Sequence, residues 1–439
     1  MSDERHVLGA PAARYRRIGL GLLLLAAAAP YRFYGSYPIV ASVSVLDGAL
    51  LLAAAGMLAQ RAMSARTVDV ADRRVLALLC VLPVLSLASS LWTTDLSATV
   101  RETLSYGEGL LGFAYAVQQT RGVPPEIIVK WLRRFTYVLL VPSMLMLLHV
   151  PGFGPQEPGL RKSQGDYISY FSRLSHPFIG KSNNLATVLA LLVIVLFYWG
   201  VSRRDRATEF AAIIATVAIA LTVSRGVIIA LLAAGVAHLA LPPRRAQRPV
   251  NKRVARVLAV VVAAVVAGAI ALYVLNPDTK EFIAGRLSDS NVILRESRLS
   301  VGIARLLERP ILGYGSGALP GHDVRIDGGV HNTYLQQLLA YGVVLGVIAV
   351  ISLLEVMRYF LRSQAVGLRR AVGLTVLAQL VLFAVESSFE GAVLRVLIYL
   401  LLGMLVGLLR AEEGPSVPAP QRRRPGQRDV ATTSSAPGR

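Results

Sequence analysis

Long uninterrupted apolar runs constrain this chain more than any other feature. Several of them approach the roughly 20 residues that an α-helix needs to cross a bilayer core. Of the 439 residues, 54% are hydrophobic and only 16% are charged, whereas soluble domains carry about 25% charged residues. A helix satisfies its backbone hydrogen bonds within one segment, as lipid requires, and the alternating pattern of a membrane barrel is absent. The sequence therefore predicts an all-α integral membrane protein.

The apolar runs predict about twelve transmembrane helices. They lie near residues 18–30, 38–59, 75–92, 103–118, 135–150, 184–201, 209–223, 226–242, 254–275, 333–353, 371–388 and 393–409. The first run, in YRRIGLGLLLLAAAAP, also fits a signal peptide. Pro30 stands where a small residue should follow a cleavage site, which favours an uncleaved span.

Positive charge is concentrated in the short connections between the runs. The net charge is +20, which in a soluble protein would suggest nucleic-acid binding. Here the basic segments alternate along the chain and fall on one predicted side: the N-terminus, 60–74, 118–134, 202–207, 242–253, 358–370 and the C-terminal tail. Basic loops stay in the cytoplasm, so both termini are predicted to be cytoplasmic and no nucleic-acid partner is expected.

Two segments predicted to face outward are long, near 151–183 and 276–332. Long loops in a compact protein usually carry function. The second contains SRLSVGIARLLERP (297–310), and its apolar residues recur on one helical face: Leu299, Ile303, Leu306 and Leu307. This pattern predicts an amphipathic helix on the outer membrane surface, just before the tenth span.

The composition changes near residue 410. Residues 1–410 are predicted to form one polytopic membrane domain. Residues 411–439 are rich in Pro, Ser, Gly and Arg, which predicts a disordered basic tail in the cytoplasm. Cys80 is the only cysteine, so neither a disulfide within the chain nor a cysteine metal cluster is expected.

Two arginines on the predicted outer face are candidates for function. Arg225, in LTVSRGVIIALL, falls between two spans that almost touch. A charge so near hydrocarbon indicates a functional site, although an arginine can also simply extend to the interface. Arg298 opens the amphipathic helix, ahead of the glycine-rich turn PILGYGSG (310–317). Glycines there would let the backbone approach a ligand closely.

His331 and Asn332 stand where the second long loop enters the tenth span, in GGVHNTYLQQLLAYGVVLG. A histidine in this place can act as a general base near neutral pH, or it can only cap the helix. Further basic and polar residues on the outward segments would suit an anionic ligand such as a phosphate. The candidates for binding are Arg173, His176, Lys181, Asn184, Arg286, Arg295 and Asn332.

Four stretches resemble the bacterial O-antigen ligase and polymerase superfamily, in the same order. They are SHPFIGKSNNLATVLALL, VSRGVIIALL, SRLSVGIARLLERPILGYGSG and HNTYLQQLLAYGVVLG. The resemblance covers about 170–350 by motif and the whole chain by its pattern of spans. One departure is Gly302, which stands where the family commonly has an aromatic residue.

The resemblance implies an integral-membrane glycosyltransferase of the GT-C type. Such an enzyme takes a glycan from undecaprenyl diphosphate on the outer face of the bacterial cytoplasmic membrane and passes it to an acceptor sugar hydroxyl. It needs no cofactor or metal and inverts the anomeric carbon. Arg225 and Arg298 match the family's arginines, which would hold the diphosphate, and His331 matches its histidine, which would be the base.

Three functions remain open at this point. A ligase moves a finished glycan onto a different acceptor glycolipid, whereas a polymerase extends a growing lipid-linked glycan. The third is a transporter or flippase for lipid-linked glycans, for which acidic residues in or near the spans would relay protons: Asp47, Glu108, Glu355 and Glu386. The candidate residues gather on one outer surface rather than at the membrane midplane, which favours transfer over transport.

Overall fold

The computed structural model describes residues 49–50, 52–53, 55, 70–147, 182–222, 224–240, 289–317, 330, 332–362, 367–385 and 392–413. Regular structure in these residues is entirely helical, as predicted. From residue 70 onward the described residues form ten α-helices: α1 (Val70–Ala88), α2 (Leu96–Thr120), α3 (Pro125–Leu147), α4 (Ser182–Arg203), α5 (Arg206–Thr222), α6 (Arg225–Ala240), α7 (Asp289–Glu308), α8 (Thr333–Arg362), α9 (Gly367–Val385) and α10 (Ala392–Glu413). A short 3-10 turn, Ser89–Leu91, follows α1.

All of these helices except α7 coincide with predicted spans, and α7 is the predicted amphipathic helix. Among the described residues, five stretches are long and apolar enough to cross a membrane: Arg73–Leu91, Ser182–Arg203, Thr333–Leu361, Leu368–Val385 and Val393–Ala411. The predicted spans 18–30 and 254–275 lie outside the described residues, as does most of 38–59. The total of about twelve spans therefore stays a prediction.

Helices α4 and α10 lie at the centre of the bundle, and almost every residue of their apolar stretches is buried. Small residues let α10 approach α2 closely. Gly403 and Gly407 form a Gly-x-x-x-Gly pattern, and a Cβ atom at Gly407 would lie 2.1 Å from Thr120 Oγ1. Such patterns bring helix backbones together where lipid supplies no hydrophobic driving force.

The outer surface of the bundle is apolar. Large hydrophobic side chains on α1, α5, α6 and α8 are exposed, among them Val84, Leu87, Phe210, Leu232 and Val344. Soluble proteins rarely expose so much contiguous apolar surface. Together with the long apolar helices, this surface identifies a multi-pass membrane protein.

At one end of the bundle, named here the basic end, arginine side chains join neighbouring helices. Three contacts join helices there: Arg370 Nη2 donates to His238 O at 2.6 Å, and the ion pairs Arg133–Asp205 and Arg74–Glu355 are each 3.3 Å long. These contacts join residues in or next to the basic connections of the sequence. Described residues in or next to the predicted connections 60–74, 118–134, 202–207 and 358–370 therefore lie at one end of the bundle. The membrane side that this end faces stays a prediction.

The opposite end, named here the turn end, is where the glycine-rich turn 310–317 meets the start of α8. Ser316 fastens this turn to the junction of α1 and α2, since its N–H donates to Ser89 Oγ at 3.0 Å and its carbonyl accepts from Thr99 Oγ1 at 2.7 Å.

Candidate functional site

Helix α8 is broken near its start by Gly342, which has φ 74° and ψ 178°. The glycine-rich turn fills the break. Tyr314 N–H and Gly315 N–H donate to the carbonyls of Leu339 and Ala340 at 2.9 Å each, and Val343 N–H donates to the Pro310 carbonyl at 2.7 Å. The turn and the first half of α8, Thr333–Tyr341, are thereby held as one unit.

The glycines of the turn approach the protein's own backbone rather than a ligand. A Cβ atom at Gly313 would lie 2.4 Å from Leu339 O, and one at Gly317 would lie 2.7 Å from Ala98 O. These glycines were expected to let the backbone approach a ligand, but the structure gives them a role in packing. They let the turn seat itself between α2 and α8.

Asn332 caps α8 and ties it to α9. Its Oδ1 accepts from Leu335 N–H at 2.9 Å, and its Nδ2 donates to the carbonyl of Ala384 at 3.0 Å. The first of these bonds is the usual N-cap interaction. Both ends of the amide are engaged, so Asn332 positions the start of α8.

His331 lies outside the described residues, but its two neighbours along the chain are both held. Val330 is buried in a small apolar cluster with Tyr314, Leu335 and Leu339. Asn332 is held by the two hydrogen bonds just described. The chain on either side of His331 is thus fixed to the turn end.

Helix α7 begins earlier than predicted, at Asp289 rather than near residue 297, and ends at Glu308. Gly302 faces the start of α8, because a Cβ atom there would lie 2.7 Å from Val330 Cγ1. Arg298 lies one turn before Gly302 and therefore on the same side of the helix. The predicted apolar face points away from the protein at Leu299, Ile303 and Leu307, as a helix on a membrane surface requires.

Arg225 is the first residue of α6 and is half-buried. The preceding Ser224 is 1% exposed, and its Oγ has no hydrogen-bond partner within the described part of the chain. Helices α6 and α9 pack together, and the end of α6 lies at the basic end through His238 and Arg370. The start of α6, with Arg225, therefore lies at the turn end, where the Asn332 to Ala384 bond also places the end of α9.

Asn184 lies in the first turn of α4, which runs antiparallel to α5 and begins near the end at which α6 starts. The structure thus brings Arg225, Arg298, Asn184 and Asn332 to one end of the bundle. The other candidates lie outside the described residues: Arg173, His176, Lys181 and Arg286. Arg295 belongs to α7, but its side chain is not among the described ones.

A small charged cluster stabilises the junction of α7 and the turn. Arg305 Nη1 donates to Glu308 Oε2 at 2.9 Å, and the Tyr314 hydroxyl donates to the same oxygen at 2.8 Å. These bonds, that from Arg305 above all, hold the pKa of Glu308 below its ordinary value. Burial and the neighbouring carboxylate raise the pKa of Tyr314. Arg305 and Glu308 both belong to α7, and the Tyr314 hydroxyl joins this ion pair to the turn.

A buried ion pair beside this end was not predicted from the sequence. Arg395 of α10 is bonded to the carboxylate of Glu102 of α2, and its guanidinium carbon lies 4.0 Å from the ring centroid of Tyr106. The Arg395 side chain is 1% exposed and the Glu102 side chain 25%. The sequence feature that could have indicated this pair is the lone arginine in the apolar run AVLRVLIYLL. An ionisable residue within a membrane span is a functional candidate by default.

Residues 210–350 match the family model described as O-antigen ligase. This match supports the O-antigen ligase and polymerase superfamily for residues 210–350. The comparison with curated proteins gives no match. The superfamily consists of glycosyltransferase-like enzymes, and the resemblance found in the sequence motifs is confirmed.

The O-antigen ligase segment contains most of what forms the turn end. It includes Arg225, Arg298, the glycine-rich turn and the first half of α8, together with His331. The buried pair of Glu102 and Arg395 lies outside the segment on both sides. The helices that flank the O-antigen ligase segment in sequence therefore supply part of the support for its turn end.

Gly302→Ala is expected to destabilise the protein by about 1–3 kcal/mol, the usual range for overpacking a tight contact. The added methyl group would lie 2.7 Å from Val330 Cγ1 and 3.1 Å from Leu335 Cδ2, so α7 must move away from α8. The midpoint of thermal unfolding in detergent measures the effect. Gly235→Ala is the control, because a Cβ atom there meets nothing within 4 Å. An unchanged midpoint for Gly302→Ala would contradict the described packing.

Proposed function

We propose that the protein transfers a glycan from undecaprenyl diphosphate to an acceptor sugar hydroxyl at the turn end, on the outer face of the cytoplasmic membrane. The transfer would be direct, with inversion at the anomeric carbon, and would need no metal or cofactor. The match of residues 210–350 to the O-antigen ligase family model supports O-antigen ligase or polymerase activity in general. The observation that supports this site is the gathering of Arg225, Arg298 and the start of α8 at one end of the bundle.

Each proposed role follows from the chemistry of the step. The leaving group is a lipid diphosphate, so negative charge grows on it as the glycosidic bond breaks. Arg225 and Arg298 would hold that charge, because guanidinium groups bind phosphate oxygens in a fixed bidentate geometry. The attacking hydroxyl must lose its proton, and His331 would take it. Arg173, Lys181, His176, Asn184, Arg286 and Arg295 are proposed as further contacts to the donor.

The position of the turn end also suits a lipid-linked donor. The exposed apolar face of α7 would lie on the membrane surface, and the exposed side chains of α6 face lipid. A donor whose polyprenyl chain remains in the bilayer could thus present its diphosphate at the start of α6. Ser224, whose buried Oγ has no partner among the described residues, would contribute a hydrogen bond there.

His331→Ala is expected to lower kcat about 10²- to 10⁴-fold, the usual contribution of a general base. Arg225→Ala and Arg298→Ala are each expected to lower it about 10²- to 10³-fold. The measurement is transfer by purified protein from an undecaprenyl-diphosphate glycan to candidate acceptors, with products resolved by size.

Two control variants match these changes. Arg358→Ala removes an exposed arginine that pairs with Glu355 near the basic end, and His322→Ala removes another histidine of the second long loop. Both are expected to retain wild-type transfer. Full transfer by His331→Ala would remove the histidine from the mechanism, and equal losses in the controls would indicate misfolding instead.

The size of the products separates the two activities of the superfamily. A single shifted band indicates ligation of a finished glycan to an acceptor glycolipid. A ladder of lengths indicates polymerisation of a growing glycan. The same arginines and histidine serve both reactions, so the ligase is proposed first and the polymerase as its alternative.

Transport of the lipid-linked glycan receives less support from the described residues. Transporters use broken helices to expose backbone groups to their substrate. Here the carbonyls freed by the break in α8 accept hydrogen bonds from Tyr314 and Gly315. Glu355, considered above for a proton relay, pairs with Arg74 and Arg358 near the basic end. Retained transport by His331→Ala would favour this alternative.

A further inference from the structure

The buried pair of Glu102 and Arg395 is connected to the break in α8 by side chains that lie next to one another: Tyr106, Gln337 and Tyr341. Besides the carboxylate, Arg395 Nη1 donates to the Glu102 carbonyl at 3.3 Å. Its guanidinium covers the ring of Tyr106, which is 2% exposed. The positive charge of Arg395, on α10, is thus in contact with the carboxylate of Glu102 and the ring of Tyr106, both on α2.

Tyr106 lies between this ion pair and α8. Its side chain lies close enough to the polar side chains of Gln337 and Tyr341 to interact with them electrostatically. The Tyr341 hydroxyl in turn lies 3.4 Å from Ser316 Oγ in the glycine-rich turn. Tyr341 directly precedes Gly342, so the last contact of the series is made at the break itself.

A buried ion pair is costly to desolvate, and well-packed apolar side chains usually stabilise a protein equally well. Such a pair is better explained by a need to fix one arrangement of helices. The element whose position must be fixed is the first half of α8, because the break at Gly342 separates it from the rest of the helix. That half-helix begins two residues after His331.

We propose that Glu102, Arg395 and Tyr106 are positioning residues that hold the first half of α8 and the glycine-rich turn in the one register that is active. The network does not contact substrate. It acts on the position of His331 through the half-helix. Its effect on activity rests on the proposed glycan transfer, whereas its effect on α8 does not.

The test uses Tyr106→Phe, which removes the hydroxyl but keeps the ring beneath Arg395. We expect kcat for glycan transfer to fall about 10- to 100-fold, as for a misplaced catalytic group, with the KM for the lipid-linked donor unchanged. Hydrogen exchange should accelerate at the amides of Tyr314, Gly315 and Val343, which close the break. The matched control is Tyr115→Phe, a buried tyrosine of the same helix whose hydroxyl has no part in the network.

Each outcome decides the proposal. Slower transfer with faster exchange in Tyr106→Phe alone supports it. Faster exchange with full transfer would make the network a purely structural feature and overturn the positioning role. Unchanged exchange, or equal changes in both variants, would overturn the proposal as well. If the wild-type protein transfers no glycan, the proposed function fails, and the exchange measurement still decides whether the network holds α8.

Discussion

Gly342→Ala is expected to lower the free energy of unfolding by about 3 kcal/mol or more. Two penalties add at this position. The backbone angles, φ 74° and ψ 178°, fall in a region that is accessible almost only to glycine and costs other residues about 1–3 kcal/mol. A Cβ atom would also lie 2.1 Å from the carbonyl oxygen of Ile311, so the turn must move and its hydrogen bonds to α8 must lengthen.

The apparent midpoint of thermal unfolding in detergent measures this loss, and the glycan transfer assay should show inactivity at temperatures where the variant remains folded. Gly107→Ala is the matched control, since a Cβ atom at this helical glycine meets nothing within 4 Å. Alanine exceeds glycine in helix propensity by about 1 kcal/mol, so the control should be neutral or slightly stabilising. Equal midpoints for the two variants would mean that the break in α8 is not held as described.

Glu102→Leu is expected to destabilise the protein by about 3–5 kcal/mol, the range observed when one partner of a buried ion pair is removed. The loss arises because Arg395, at 1% exposure, keeps its charge and cannot reach water. Arg395→Leu should cost less, since the Glu102 side chain is 25% exposed and can be partly hydrated. The double variant, with leucine at both positions, should recover much of the stability, because no charge then remains buried.

Unfolding midpoints of the wild type, both single variants and the double variant form a double-mutant cycle. The expected order of stability places Glu102→Leu lowest and the double variant above both single variants. A double variant that is less stable than either single variant would indicate that the two side chains contribute independently, without a charge interaction. The double variant should still transfer glycan poorly, because it lacks the polar connection to Tyr106.

The positions of the helices were predictable because each of them is a long apolar run, and basic residues mark the connections at the basic end. The amphipathic helix α7 was also predictable from the spacing of Leu299, Ile303 and Leu307. Its start was placed too late, since DSNVIL begins with polar residues that do not continue the apolar pattern. The structure extends the helix back to Asp289.

The break in α8 could not be predicted from its sequence. A glycine in an apolar helix is equally typical of close helix packing, which is the role of Gly403 in α10. Only the position of the glycine-rich turn distinguishes the two cases. The partnership of Glu102 with Arg395 was likewise hidden, because 293 residues separate them in the chain. The motif residues Asn184, Arg225, Arg298 and Asn332 lie at the turn end in the described part of the chain. Helices without a motif supply some of the contacts there, such as those of Thr99 and Ala384.

The interlocking of the glycine-rich turn with the first half of α8 has a consequence for chimeric proteins. Each of the two segments supplies hydrogen-bond donors and acceptors that only the other satisfies. Replacing residues 310–317 alone, or residues 333–343 alone, would set one segment against a backbone that it does not match in the native protein. The smallest segment that can be exchanged as a unit therefore runs from the end of α7 past Gly342. Chimeric proteins made to study acceptor specificity should have their junctions outside this segment.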